Sequence, residues 1–312
     1  MAARLLRYLI VYPLFLLIAG IALFALWLCL ADPISVLPAP KHILSVSNGL
    51  PVTEPGRRLQ HITLAGGDLG DIGIIISLPD PLPVKKLPIL IVLGGLGTGE
   101  NNIRTIDNPG DNAIIGYDWP MPVDFPKGRE FVLQTPDLYR RVTTIPGQIA
   151  SSIDWLASQS WADDKRISIL GFSLGALATP AAENLVEHNG RHIGWTIIAY
   201  GGAPFGVLFA SNPRLKPKWM GPVIDVLLHP LQPTVNLPYI SSHFLVLEGR
   251  DDALIPAEAR TTLRDAVPAP KDVVVFSGDH MGVGPGKQEL LGQIIRTSRV
   301  WLINNGAVNA AP

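Results

Sequence analysis

Cysteine is almost missing from this sequence: its one copy, Cys29, lies inside an apolar run near the N-terminus, and the rest of the 312-residue chain has none. Disulfides, thiol catalysis and cysteine metal sites are thereby excluded from the body. A cysteine-free domain suits an oxidising compartment such as a periplasm without demanding one. Charge of one sign is lacking too. Twenty-five Lys and Arg oppose twenty-six Asp and Glu, with no block of like charges, so nothing points to nucleic acid or another polyanion as partner. No internal repeat is visible, the seven histidines are scattered, and no H-E-x-x-H or carboxylate cluster marks a metal site. The expectation is a protein with neither metal nor cofactor.

What the sequence does have begins at its N-terminus. After Arg4 and Arg7, residues 9–30 read LIVYPLFLLIAGIALFALWLCL, without a charge. At ~1.5 Å per helical residue such a run covers about 33 Å, enough to cross a hydrocarbon core of about 30 Å. A cleaved signal peptide is the competing reading, and Cys29-Leu30-Ala31 offers small residues around a cut, but its apolar region is shorter, about 7 to 15 residues. Two arginines precede the run, and only Asp32 and then Lys41 follow it. The positive-inside bias therefore predicts a single-pass membrane protein with its body on the extracytoplasmic side, periplasmic in a bacterium.

Five prolines between residues 32 and 58 predict an extended tether. Beyond it, β-type runs alternate with amphipathic ones. LQHITL, IGIIISL, PILIVLG, NAIIGYDW and RISILGF are followed by WTIIAYG, HFLVLEG and KDVVVFSG; helices are expected over 136–160, 174–189, 256–266 and 286–304. Continuous rather than alternating Val, Ile and Leu implies burial on both faces, hence an α/β fold: a mostly parallel central sheet of about eight strands, its first two runs antiparallel, with helices on both faces. Reactive groups in such a sheet collect at the carboxyl ends of the strands.

One such end carries GFSLG. Glycines 171 and 175 remove side chains that would clash in a tight strand-to-helix turn, which lifts the Ser173 hydroxyl above the sheet, and the following helix aims its N-terminal N–H groups at the same place. A serine hydroxyl becomes nucleophilic only when a base takes its proton, and that base needs an acid to hold it. HFLVLEG is followed by RDDALIP, with Asp251 and Asp252 as candidate acids. KDVVVFSG is followed by DHMG, with His280 as the base, whereas His243 opens a strand instead of closing one. Chemistry at a carbonyl also needs donors for the developing oxyanion. Leu174 N–H is the first, and LIVLGGLGTG offers Gly95 or Leu96 for the second. The same glycines lack the G-x-G-x-x-G spacing and the Gly-Lys-Ser/Thr of nucleotide loops.

GFSLG, GRDDALIP and DHMG together resemble the α/β-hydrolase superfamily, over about residues 59–304. The resemblance implies a Ser173–His280–Asp252 triad, with the G-x-x-D spacing from Gly249 selecting Asp252 over Asp251. IDWLASQSWADDKRISILGFSLG is similar to the dienelactone-hydrolase and prolyl-oligopeptidase-like branches. Where many members carry His-Gly after the third strand, Leu93-Gly94 stands here, and the branch is often soluble. Residues 203–241 fall where the superfamily inserts a lid. They include the apolar GPVIDVLLH, preceded by RLKPKWM with Arg214, Lys216, Lys218 and Trp219. The expected organisation is an anchor (1–31), a Pro-rich linker (32–58), a hydrolase domain (59–304) with its lid-like insertion, and a tail (305–312). The expected activity is cleavage of an ester-type bond in a small-molecule or lipid-like acyl substrate through an acyl-enzyme. A peptidase, a thioesterase or acyl transferase on the same triad, and a non-catalytic membrane-anchored binding module are the alternatives.

Overall fold

Branched apolar side chains pack well on a pleated, covered surface, and here they build one sheet. The computed structural model describes residues 10–95, 99–121, 129–212, 217–281 and 286–311. Its strands are β1 (Val46–Asn48), β2 (Val52–Glu54), β3 (Arg57–Ala65), β4 (Asp71–Pro79), β5 (Leu87–Leu93), β6 (Ala113–Tyr117), β7 (Ala162–Phe172), β8 (Trp195–Ala199), β9 (His243–Gly249) and β10 (Lys271–Phe276). They run in the order β1-β3-β4-β6-β5-β7-β8-β9-β10, with β2 on β3. From β6 through β10 every neighbouring pair is parallel, while β1 to β4 join antiparallel.

The described helices are α1 (Tyr12–Leu30), α2 (Pro33–Val36), α3 (Gly99–Ile103), α4 (Arg129–Ala157), α5 (Leu174–His188), α6 (Phe205–Ser211), α7 (Gly221–Leu227), α8 (Pro233–Asn236), α9 (Ala257–Ala266) and α10 (Lys287–Asn304). The alternation of strand side chains divides the core. Ile89, Ile91 and Leu93 of β5 and Ile167 and Ile169 of β7 meet Ile149, Ile153, Leu185 and Val186 of α4 and α5. Leu90, Val92, Leu170 and Phe172 turn the other way, toward Ile294, Ile295 and Leu302 of α10. All seven residues of β5 are buried, so its unbroken apolar run is the signature of a strand covered twice. Each such Leu or Ile contributes about 1.5–3 kcal/mol on leaving water.

The eight expected runs form β3 to β10, and two more strands join them. The two additional ones, β1 and β2, lie inside the stretch read as a tether. They are held to β3 by backbone pairing and their side chains stay largely exposed, so no buried apolar pattern announces them. Residues 305–311 do not trail away either. Ala307 and Val308 are buried, and Asn309 exchanges hydrogen bonds with Asn112, its N–H donating to Oδ1 at 2.7 Å and its carbonyl accepting from Nδ2 at 3.0 Å. Helix α4 starts seven residues before the expected Pro136 and runs through both Pro136 and Pro146. Tertiary packing, visible in buried Leu138, Ile145 and Ile149, outweighs the backbone bond that Pro146 forfeits, whereas residues 133–136 are exposed.

A buried carboxyl ties the serine-bearing helix to the sheet. Glu183 of α5 is fully buried. Thr196 Oγ1 of β8 donates to it at 2.9 Å, and Ser242, just before β9, lies in hydrogen-bond contact with Oε1. Ser242 has one hydroxyl proton and also meets the Ile193 carbonyl at 2.7 Å. Ser242 can donate to Glu183 or to that carbonyl but not to both. Burial pushes the Glu183 carboxyl up from 4.5 to about 8. A raised folded-state value means stability fully present below about 4.5 and lost as pH climbs through about 8, at up to about 1.4 kcal/mol per pH unit. Glu183→Gln keeps the acceptor and removes the titration. Urea midpoints at pH 5.5 and 8.5 are expected to fall with pH in the native chain and to fall much less in the variant; equal slopes would refute the assignment.

Candidate active site

Strand β7 ends at Phe172 and α5 begins at Leu174, so one residue makes the whole turn. Ser173 makes it with φ +50° and ψ −109°, a conformation that costs a non-glycine residue about 1–3 kcal/mol. Surrounding contacts enforce it. Ser173 N–H donates to the Ala199 carbonyl at 2.9 Å and Gly175 N–H to the Gly94 carbonyl at 3.1 Å. At Gly175 the helix crosses β5 so closely that a Cβ would stand 1.8 Å from the Leu93 carbonyl oxygen. Only glycine permits this approach, and the approach pins the start of α5 to the sheet.

The residues expected after β9 and β10 converge on that hydroxyl. His280 Nε2 lies 3.0 Å from Ser173 Oγ, and His280 Nδ1 lies 2.8 Å from Asp252 Oδ2. Both the imidazole and the carboxylate are buried. A carboxylate oxygen can only accept, so Nδ1 carries the hydrogen and, in the neutral ring, Nε2 is left to accept from the serine. The other carboxylate oxygen, Asp252 Oδ1, accepts from Leu254 N–H at 2.8 Å and Ile255 N–H at 2.9 Å. Asp251 faces elsewhere, its Oδ2 accepting from Gly278 N–H at 3.3 Å. His243 sits at the opposite strand end, 3.2 Å from Asp272.

At the proposed oxyanion position, Leu174 is the first residue of α5, where an N–H has no intrahelical partner. Gly95 lies beside the serine: a Cβ added to it would stand 3.8 Å from Ser173 Cβ. Leu96 lies outside the described residues, as do Arg214 and Lys216 of the insertion. Among the described residues no group of three or more His, Cys, Asp or Glu is arranged to hold a metal ion.

Four supporting residues were not singled out in the sequence. Trp119 Nε1 donates to the Gly95 carbonyl at 2.9 Å, fixing the glycine loop. Tyr200 packs edge-on against His280 at 5.6 Å between ring centres. It is fully buried, with φ +57°. Burial, with the Asp252 charge adding to it, pushes the Tyr200 phenol up to about 12. Asp279 Oδ1 accepts from His280 N–H at 2.7 Å and Ala253 N–H at 2.8 Å, coupling the two loops. Those backbone bonds hold the Asp279 carboxyl below its ordinary value. Arg260 of α9 donates to the carbonyls of Asp252 at 3.3 Å, Ile255 at 2.5 Å and Arg250 at 3.0 Å. Asp279 was readable as the neighbour of His280; the others act through backbone carbonyls or ring contacts that leave no sequence pattern.

No family model matches the chain, and no curated protein sequence matches it. Solved structures do. An acetyl xylan esterase from Thermoanaerobacterium sp. superposes with a TM-score of 0.60 at 14% identity, over 84% of this chain and 90% of its own. One from Paenibacillus sp. R4 gives 0.60 at 18% identity, over 88% and 94%. A dienelactone hydrolase from Anabaena variabilis gives 0.51 at 14% identity, over 80% and 98%. The chain has the α/β-hydrolase fold, as its motifs led us to expect.

Proposed function

We propose that this α/β-hydrolase fold is a single-pass, membrane-anchored serine hydrolase that cleaves an ester-type bond in a small-molecule or lipid-like acyl substrate. The observation that carries the reading is the continuous hydrogen-bonded line from Ser173 Oγ through His280 to Asp252, at 3.0 and 2.8 Å, on a strained turn. Ser173 Oγ attacks the carbonyl carbon as its proton passes to His280 Nε2. The carbonyl π electrons move onto oxygen, where Leu174 N–H and a glycine-loop N–H at Gly95 or Leu96 donate to the oxyanion. Collapse breaks the bond to the leaving alkoxide, which takes the proton from Nε2 and departs as an alcohol. Water then repeats the sequence on the acyl-enzyme, releasing the acid and restoring the serine. Asp252 keeps the ring in the required tautomer throughout and offsets the imidazolium charge.

Esters are favoured as substrates because the solved structures of like fold include enzymes named as esterases. Anchoring is supported by α1, 19 residues with a mean hydropathy of 2.6 and only 6% of that span buried against the body. Arg4 and Arg7 before it favour an extracytoplasmic body.

A fluorophosphonate probe tests the nucleophile. Intact mass should show one adduct on the native chain and none on Ser173→Ala, the discriminator between an enzyme and a binding module. An unlabelled native chain, or a labelled variant, would overturn the assignment.

A further inference from the structure

Helix α1 is not a free stalk. It packs against α7 and the turn at His229–Leu231. Near its C-terminal end Leu28 is 1% exposed, while Leu26 and Leu30 of the same helix are 54% and 75% exposed. The helix stops at Leu30, and Ala31 leaves it in an extended conformation. If α1 crosses a bilayer, its C-terminal end marks the bilayer boundary, and whatever packs beside that end lies at headgroup depth.

Helix α7 is turned for that position. Its inner side is fixed by polar contacts. Asp225 Oδ1 accepts from Gly206 N–H at 2.6 Å and from Gln232 Nε2 at 2.7 Å. Helices α6 and α7 approach so closely that a Cβ on Gly206 would stand 2.5 Å from the Gly221 carbonyl oxygen. With Asp225 held inward, Trp219, Val223 and Leu227 face out, spaced four apart along one stripe and 72%, 42% and 38% exposed. Lys218 is exposed beside them. A tryptophan and two aliphatic side chains in line, flanked by a cation and continuous with an apolar span, are the chemistry of an interfacial contact. The indole rests at headgroup level, the aliphatic groups enter the acyl boundary and the ammonium reaches lipid phosphate.

We propose that the Trp219–Val223–Leu227 stripe is a membrane-resting surface, which docks the insertion on the lipid bilayer beside the span and fixes the body against the membrane plane. The proposal rests on the anchor reading of α1 and is independent of the hydrolase reading. Leu208 of α6 and Ile255, whose N–H donates to Asp252, stand 2.9 and 2.7 Å from where a Cβ on Gly202 would lie, so α6 borders the Asp252 loop.

The test uses the full chain in vesicles of phosphatidylethanolamine and phosphatidylglycerol. Single probes are placed by Val223→Cys, Leu227→Cys and, as a control on the loop entering β5, Val84→Cys, each on a Cys29→Ser background and labelled with an environment-sensitive fluorophore. Labels at 223 and 227 are expected to emit to the blue and to be quenched by shallow nitroxide lipids. The label at 84 is expected to be quenched by aqueous iodide alone. A chain that stays with the vesicles through alkaline extraction while 223 and 227 behave like 84 would refute the surface and leave the anchor standing. A chain that washes off would refute the anchor and the proposal with it. Fluorophosphonate labelling of the same samples reports on the hydrolase reading separately.

Discussion

Ser173→Ala is expected to lower turnover of an ester substrate by about 10⁶-fold while the protein stays folded. The size follows from the role. Without Oγ there is no acyl-enzyme, and His280 has nothing at 3.0 Å to deprotonate. What survives is rate enhancement of about 10³–10⁴ over water from oxyanion donors and binding. Folding is spared because the turn is held by backbone bonds from Ser173 N–H and Gly175 N–H and by the contact at Leu93, none of which uses the hydroxyl. The measurement is kcat/KM on a p-nitrophenyl ester, with matched thioester and anilide substrates, alongside the thermal midpoint. Whichever bond class the native chain prefers, the variant should lose it. Retention of most of the activity with an unchanged midpoint would remove Ser173 from the mechanism.

The parts of this arrangement that could be read from sequence are those where one physical demand fixes residue type over several consecutive positions. Strand β5, strand β9 and the second half of β7 are sandwiched between helices, so burial on both faces writes an apolar run. The turn at Ser173 demands small residues at fixed offsets, and the proposed base and acid, His280 and Asp252, follow at later strand ends that share its rim. Elsewhere the demand falls on the backbone. Strands β1 and β2 pair through main-chain groups with their side chains in water. Residues 305–311 are docked by the amide of Asn309. Trp119 and Arg260 do their positioning by donating to carbonyls. Any residue supplies a carbonyl, so such contacts constrain only one partner and that partner appears as an isolated residue. Helix α4 illustrates the converse error: Pro136 reads as the first residue of a helix, and the helix begins seven residues before it.

Asp252→Asn is expected to cost about 10⁴-fold in kcat/KM, and Asp251→Asn no more than a few-fold, although the two residues are adjacent and chemically identical. The difference comes from where each carboxylate points. In Asp252 one oxygen accepts two backbone N–H groups, from Leu254 and Ile255, and the other accepts from His280 Nδ1. An asparagine has one oxygen. The two loop N–H groups demand an acceptor, so they take it, and the amide NH₂ is turned toward the imidazole. Nδ1 must then accept, which moves the ring proton to Nε2, the nitrogen that has to receive the serine proton. Geometry is preserved and the tautomer is wrong, so the loss should appear in kcat with the thermal midpoint little changed. Asp251, by contrast, is exposed and spends its carboxylate on Gly278 N–H, a contact an amide oxygen can replace. Fluorophosphonate labelling rates should fall in parallel with kcat for the first variant and stay near native for the second. A large loss confined to Asp251→Asn would reassign the acid and reject the convergence of β7, β9 and β10 loops on Ser173 as the source of reactivity.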